Sequence, residues 1–171
     1  TAIVSSFGAE SVVLLHMAAQ IAGLAITPLN WRASKEELDY VLNDAEAKTV
    51  VFEDATREIV ATDIPGINVD QDWEGLLSHT AAKAATRANV QDISVMLYTS
   101  GTTGRGKGVP RRQGAERAAA LAHVAQNQYA RGEVTLGVMP LYHTMGVRSL
   151  LASVLINGHF VCQRRYDPGE A

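Results

Sequence analysis

The chain has 171 residues, is 47% hydrophobic and carries a net charge of −3, a composition that fits a soluble globular domain with a real core. Its basic residues form no stripe, which argues against nucleic acid, and no apolar run approaches the ~20 residues of a membrane-spanning helix. A single cysteine, Cys162, excludes an internal disulfide and suits a reducing cytoplasm.

The chain starts without an initiator methionine or a signal-peptide pattern, and residues 2–5 read as a strand. We expect residues 1–171 to be part of a larger N-terminal domain, cut at both ends, with this first strand left at a sheet edge. Residues 10–22 place Val12, Val13, Leu15, Met17 and Ile21 around most of a helix, the pattern of a buried one. Gly23 is placed to end that helix in the left-handed conformation. Residues 24–27 read as a strand stopped by Pro28. Ser34 and Glu37 form a capping box for a helix reaching about Asp44, with Leu38, Val41 and Leu42 on one face. A strand at 49–52, a short helix at 55–61 and a weak strand at 67–69 follow. A helical turn at 73–77 carries Trp73 as a packing anchor. Residues 80–89, rich in Ala, Lys and Arg, read as an exposed connection.

Residues 93–98 are an apolar run of the length of a buried strand. Beyond the next loop come a short strand, a helix over 113–129 ending at Gly132 and a buried strand at 134–139. A helix over 147–156, a turn at Asn157-Gly158 and a last strand at 159–163 complete the pattern. Strands alternating with helices imply an α/β fold, with a largely parallel sheet and helices on both faces. Internal repeats and low-complexity segments are absent from the sequence.

The stretch Tyr98-Thr99-Ser100-Gly101-Thr102-Thr103-Gly104-Arg105-Gly106-Lys107-Gly108-Val109 follows the 93–98 strand directly. Its glycines let a backbone approach a ligand closely, its hydroxyls can bond phosphate oxygens, and Lys107 adds a mobile charge. Successive N–H groups in such a turn make a concave anion site. These residue types describe a phosphate-binding loop. Gly101 and Gly106-Lys107 also fit the G-x-x-x-x-G-K of P-loop NTPases. That pattern needs Ser or Thr next and then a helix, whereas Gly108 follows and Pro110 favours extended backbone, so a short strand is expected there.

His143 follows the 134–139 strand, and ligands of open α/β sheets bind at the carboxyl ends of strands. His16, His79, His123 and His159 lack such a context and read as surface or packing residues. No metal-ligand spacing and no Gly-x-Ser-x-Gly elbow occur. Arg111 and Arg112 read as solvated charges.

The loop resembles the phosphate loop of adenylate-forming enzymes, the superfamily of acyl-CoA synthetases and adenylation domains. The family signature runs Tyr-Thr-Ser-Gly-Thr-Thr-Gly-any-Pro-Lys-Gly-Val, and Gly106 stands where it has proline. Because proline stiffens a loop at compatible φ, Gly106→Pro is expected to be tolerated. A second motif, Met139-Pro140-Leu141-Tyr142-His143-Thr144-Met145-Gly146, follows in the family's order. Pro28-Leu29-Asn30-Trp31-Arg32 and Glu37-Leu38-Asp39-Tyr40-Val41-Leu42 extend the resemblance over nearly the whole chain.

The resemblance implies ATP-dependent activation of a carboxylic acid to an acyl-adenylate, with CoA then displacing AMP, and it implies Mg²⁺ as a cofactor. It implies nucleotide contacts from Thr99, Ser100, Gly101, Thr102, Thr103, Gly104 and Lys107. It gives Lys107 and His143 catalytic roles, and places His143, Thr144 and Gly146 beside the acid. The second motif looks most like that of aryl- or short-acyl-CoA ligases. Three alternatives stay open: an adenylation domain that loads a carrier protein, a P-loop NTPase, and a nucleotide-binding relative without chemistry. Since the family's later motifs are not in these residues, the region by itself is expected to be inactive.

Overall fold

The computed structural model of the chain describes residues 2–4, 9–60, 62–78, 88–99, 105–162 and 167–169. Its main sheet is built from β1 (Ala2–Val4), β2 (Ile26–Pro28), β3 (Thr49–Phe52), β4 (Gly66–Asn68), β5 (Ile93–Thr99) and β6 (Lys107–Arg112). The spatial order is β4-β3-β1-β2-β5-β6, with every pair parallel except the antiparallel β5–β6. Parallel neighbours need a crossover. Helix α1 (Ala9–Ala22) joins β1 to β2, and α2 (Lys35–Asp44) joins β2 to β3. After β4 comes α3 (Val69–Ser78), and after β6 comes α4 (Gln113–Asn127). The largely parallel α/β architecture is the expected one.

Strand alternation divides the core into two layers. Val51, Val95 and Leu97 join Ala19 of α1, Val69 of α3, Ala120 of α4 and Val147 of a further helix on one side. Val50, with Met96 and Tyr98 at its border, joins Leu38, Val41 and Leu42 of α2 on the other. Helices therefore cover both faces. Val95 is 0% and Leu97 4% exposed, and full burial of such an aliphatic side chain contributes about 1.5–3 kcal/mol. Leu97→Ala would cost about 2–5 kcal/mol and would loosen the strand that leads into the loop.

A second unit packs through α4 against α5 (Thr144–Leu155). Helix α5 crosses over between β7 (Val134–Gly137) and β8 (His159–Cys162), which form their own two-stranded parallel sheet. Among the described residues no helix is long and apolar enough to cross a membrane.

Several local expectations hold. Gly23 has φ of 72°, and Asn157 turns the chain before β8 at 54°. Ser34 caps α2, its Oγ accepting from the Glu37 N–H at 3.2 Å. A carboxylate contact with Ser34 is made by Glu36, whose own backbone N–H, and then that hydroxyl, hold its carboxyl below the usual range. Trp73 packs against the first core layer, as expected of an anchor.

Other expectations are corrected. The first strand is central, paired with β2 on one side and β3 on the other, because the chain returns to both of its edges. Helix α1 is not apolar-buried all round: Leu14 is 57% and Ile21 55% exposed, since the sheet covers only one of its faces. Strand β7 is half-open, with Val134 65% exposed, and it ends at Gly137. The 55–61 helix is a 3₁₀ turn, Asp54–Thr56, followed by turns, and the 73–77 turn is the longer α3. Helix α4 stops at Gln128, which takes the left-handed conformation at φ 57° ahead of Gly132. The connection expected at 80–89 lies almost wholly outside the described residues.

Candidate functional site

The β5–β6 hairpin positions the loop. Its ladder runs from Ile93↔Arg112 through Leu97↔Val109 and Tyr98↔Gly108 to Thr99↔Lys107. Thr99 and Lys107 thus flank the loop, while Ser100, Gly101, Thr102, Thr103 and Gly104 lie outside the described residues. The strand expected after the loop is present, and Lys107 starts it rather than opening a helix. This is not the strand–loop–helix arrangement of a P-loop NTPase. Lys107 is exposed, and no salt bridge among the described residues engages it, so its charge is available to a ligand.

Glycine at 106 is required by close approach and not by left-handed backbone. Its φ is not positive, but a Cβ built there would lie 2.7 Å from the Thr99 carbonyl oxygen. The expectation that proline is tolerated here is therefore reversed: the hairpin closes too tightly to admit a side chain without a backbone shift.

Helix α2 grips the same end of the hairpin. The Tyr40 hydroxyl donates to the Gly106 carbonyl at 3.0 Å, and the Tyr98 hydroxyl donates to Asp44 Oδ2 at 2.6 Å. The Tyr40 and Tyr98 rings meet edge to face with centroids 6.4 Å apart, and the Arg105 guanidinium lies 5.4 Å from the Tyr40 ring centre. Burial, and then the bond to Asp44, raise the Tyr98 phenol pKa, so its hydroxyl stays a donor. Sequence reasoning missed Tyr40 and Asp44 in this role, because they lie 66 and 54 residues from their partners.

A cleft of about 350 Å³ joins the two motifs. Leu97, Tyr98 and Thr99 of β5, and Val109 and Arg111 of β6, line one side, with Tyr142, His143 and Thr144 on the other. His143 is exposed and is the N-cap of α5, its Nδ1 accepting from the Met145 N–H at 3.3 Å. That acceptor role leaves Nε2 as the protonated nitrogen of the neutral ring. Thr144 opens the helix, so the cleft meets the positive end of the α5 dipole, which favours an anion. Gly146 is buried in the same first turn, where a Cβ would collide with the Pro140 carbonyl, and does not line the cleft.

Arg111 is not a freely solvated charge. Its Nη1 lies 3.0 Å from Oε1 of Glu116, with side-chain exposures of 21% and 6%. Arg112 is exposed and reaches Gln91 at 3.0 Å. Among the described residues no group of His, Cys, Asp and Glu is placed to hold a metal ion. Cys162 is free and half-buried, and burial raises its thiol pKa.

Comparison with known proteins agrees with this geometry. The chain is 25% identical over 166 residues to the 2-succinylbenzoate–CoA ligase of Bacillus cereus, covering 97% of this chain and 33% of that enzyme. It therefore spans about a third of the length of the curated relatives it matches. The ATP-bound structure of MatB from Rhodopseudomonas palustris superposes with a TM-score of 0.86 at 25% identity, over 99% of this chain and 36% of that one. O-succinylbenzoate coenzyme A synthetase from Bacillus subtilis, in complex with ATP and magnesium ion, gives 0.82 at 23% identity, over 99% and 45%. The likeness to it shows the shared fold. The family model described as AMP-binding enzyme matches residues 3–170, nearly every residue of the sequence, and the chain belongs to that family.

Proposed function

We propose that the full-length protein activates a carboxylic acid with ATP and transfers the acyl group to CoA, as an aryl- or acyl-CoA ligase. In the first step a carboxylate oxygen attacks the α-phosphorus while the bond to pyrophosphate breaks, giving an acyl-adenylate. In the second the CoA thiol attacks the acyl carbon and AMP leaves. The observation that carries this reading is the cleft shared by Thr99 and His143, with Lys107, which no salt bridge among the described residues engages, directly across the hairpin from Thr99.

The chemistry asked of these residues is positioning and neutralisation. Lys107 supplies a cation for the negative charge that builds on the departing pyrophosphate, and Thr99 adds a hydroxyl donor beside it. Ser100, Gly101, Thr102, Thr103 and Gly104 complete the nucleotide contacts in this proposal. His143 keeps Nδ1 bound to the helix and has Nε2–H to offer an oxygen of the acid or of the acyl-adenylate, next to Thr144. Gly146 serves the acid site by letting the first turn of α5 seat on Pro140. The donor set suits a nucleotide: hydroxyls, an exposed cation and a helix N-terminus. Mg²⁺ has no ligand cluster among the described residues, and no step is assigned to it. ATP in the MatB structure, and 2-succinylbenzoate–CoA ligase activity in the names of the relatives, support the same reading.

The test is acid-dependent exchange of labelled pyrophosphate into ATP by the full-length protein, with a panel of aryl and acyl acids. Exchange stimulated by at least one acid, followed by thioester formation with CoA, is expected. Absence of stimulation by every acid in the panel would overturn the proposal. Exchange without thioester formation would move the acceptor from CoA to a carrier protein.

A further inference from the structure

We propose that Tyr40 of α2 is a positioning residue for the nucleotide site, holding the backbone from which Lys107 projects. The inference rests on the ligase reading above and adds to it a residue outside the loop itself. The Tyr40 hydroxyl bonds the Gly106 carbonyl at 3.0 Å, and Gly106 immediately precedes Lys107. Tyr40 is itself fixed. Its ring is half-buried at the border of the second core layer and stands edge to face with Tyr98, whose hydroxyl is tied to Asp44 at the end of the same helix. Arg105, on the loop side of Gly106, lies over the Tyr40 ring, with its guanidinium 5.4 Å from the ring centre. The hairpin end thus has α2 contacts on Tyr98, Arg105 and Gly106, bracketing Thr99 on one strand and Lys107 on the other.

A lysine on four flexible bonds neutralises a phosphate well only if its Cα is held, because each freely rotating bond dilutes the productive position. No salt bridge among the described residues holds the Lys107 side chain. The Tyr40 hydrogen bond fixes the carbonyl one peptide away from Lys107. Its effect should therefore appear on the nucleotide more than on the acid, since neither Gly106 nor Lys107 lines the cleft that holds His143 and Thr144.

Tyr40→Phe in the full-length protein is the test, since it keeps the ring contacts and removes only the hydroxyl. The KM for ATP in pyrophosphate exchange is expected to rise about three- to tenfold, the size of one lost hydrogen bond. The KM for the acid is expected to stay unchanged, kcat to fall at most severalfold, and the urea midpoint to drop only slightly, as the loss of one intramolecular hydrogen bond requires. Amide hydrogen exchange at residues 105–108, measured by mass spectrometry, is expected to quicken. An unchanged KM for ATP with unchanged amide exchange would overturn the proposal, as would equal rises in both KM values with a lowered urea midpoint. If the wild-type protein shows no acid-dependent exchange, the ligase reading falls. The amide comparison then decides the α2 tether independently, quicker exchange supporting it and equal exchange overturning it.

Discussion

Arg111 and Glu116 form a pair 3.0 Å apart that links β6 to α4, and the carboxylate is nearly inaccessible at 6% exposure. The other oxygen of Glu116 has no hydrogen-bond partner among the described residues, so Arg111 carries the neutralisation of this buried charge. Arg111 also lines the cleft. Removing either partner strands a charge, and Arg111→Ala or Glu116→Ala should each lower stability by about 3 kcal/mol. The double replacement Arg111→Met with Glu116→Leu should recover most of that loss. Urea unfolding of the three variants checks both statements, and additive losses in the double variant would contradict the pair.

Lys107→Ala should leave the unfolding midpoint unchanged, because the side chain is exposed and no salt bridge among the described residues uses it. Its loss should lower the rate of acid-dependent pyrophosphate exchange by about 10²–10³, the usual effect of deleting one preorganised charge partner. A rate within experimental error of wild type would remove Lys107 from the nucleotide site.

His143 combines a cap and a candidate catalytic group, and two substitutions separate them. His143→Ala removes the Met145 N–H acceptor and should cost about 1 kcal/mol of stability as well as impairing exchange. Asparagine is a good N-cap, so His143→Asn should restore the stability but not the rate. Recovery of both by asparagine would reduce His143 to a structural cap.

His16 gives the fold a pH dependence. It is 2% exposed, contacts Gln20 Nε2 at 2.8 Å, and burial lowers its pKa to about 4 from an ordinary 6.5. Between these values the unfolded chain binds a proton that the folded chain refuses. Stability is therefore fully present above pH 6.5 and declines as pH falls toward about 4, by up to about 3 kcal/mol. Denaturant titrations at pH 7, 5.5 and 4.5 should show the decline, and His16→Gln should flatten it. An equal slope in the variant would assign the effect to other groups.

Gly106→Pro and Gly106→Ala should both lower the melting temperature, since each adds a Cβ that would stand 2.7 Å from the Thr99 carbonyl oxygen. Forcing an extra carbon into a closed site typically costs about 1–3 kcal/mol. A raised melting temperature for the proline variant would show that the hairpin end relaxes without penalty.

The strands flanking the loop and the α/β class were legible because they are written in local pattern, while residues 100–104 of the loop lie outside the described residues. An apolar run followed by glycines, hydroxyls and Lys107 needs no partner to be recognised, and Gly108 with Pro110 was enough to argue for a strand in place of a helix after it. The cap at Ser34 and the turns at Gly23 and Asn157 were legible for the same reason, since they act within a few residues.

What only the tertiary structure decided depends on what the sheet brings together. Composition of α1 could not show that Leu14 and Ile21 face outward, because exposure is set by which neighbours arrive and not by hydropathy. The central place of β1, the burial of Glu116 against Arg111 and the seat of Gly106 against Thr99 all follow from strand order and register. The Tyr40–Gly106 bond spans 66 residues of sequence. No periodicity reaches that far, and only the packing of α2 beside the hairpin brings a tyrosine of that helix onto the strand end proposed to meet the nucleotide.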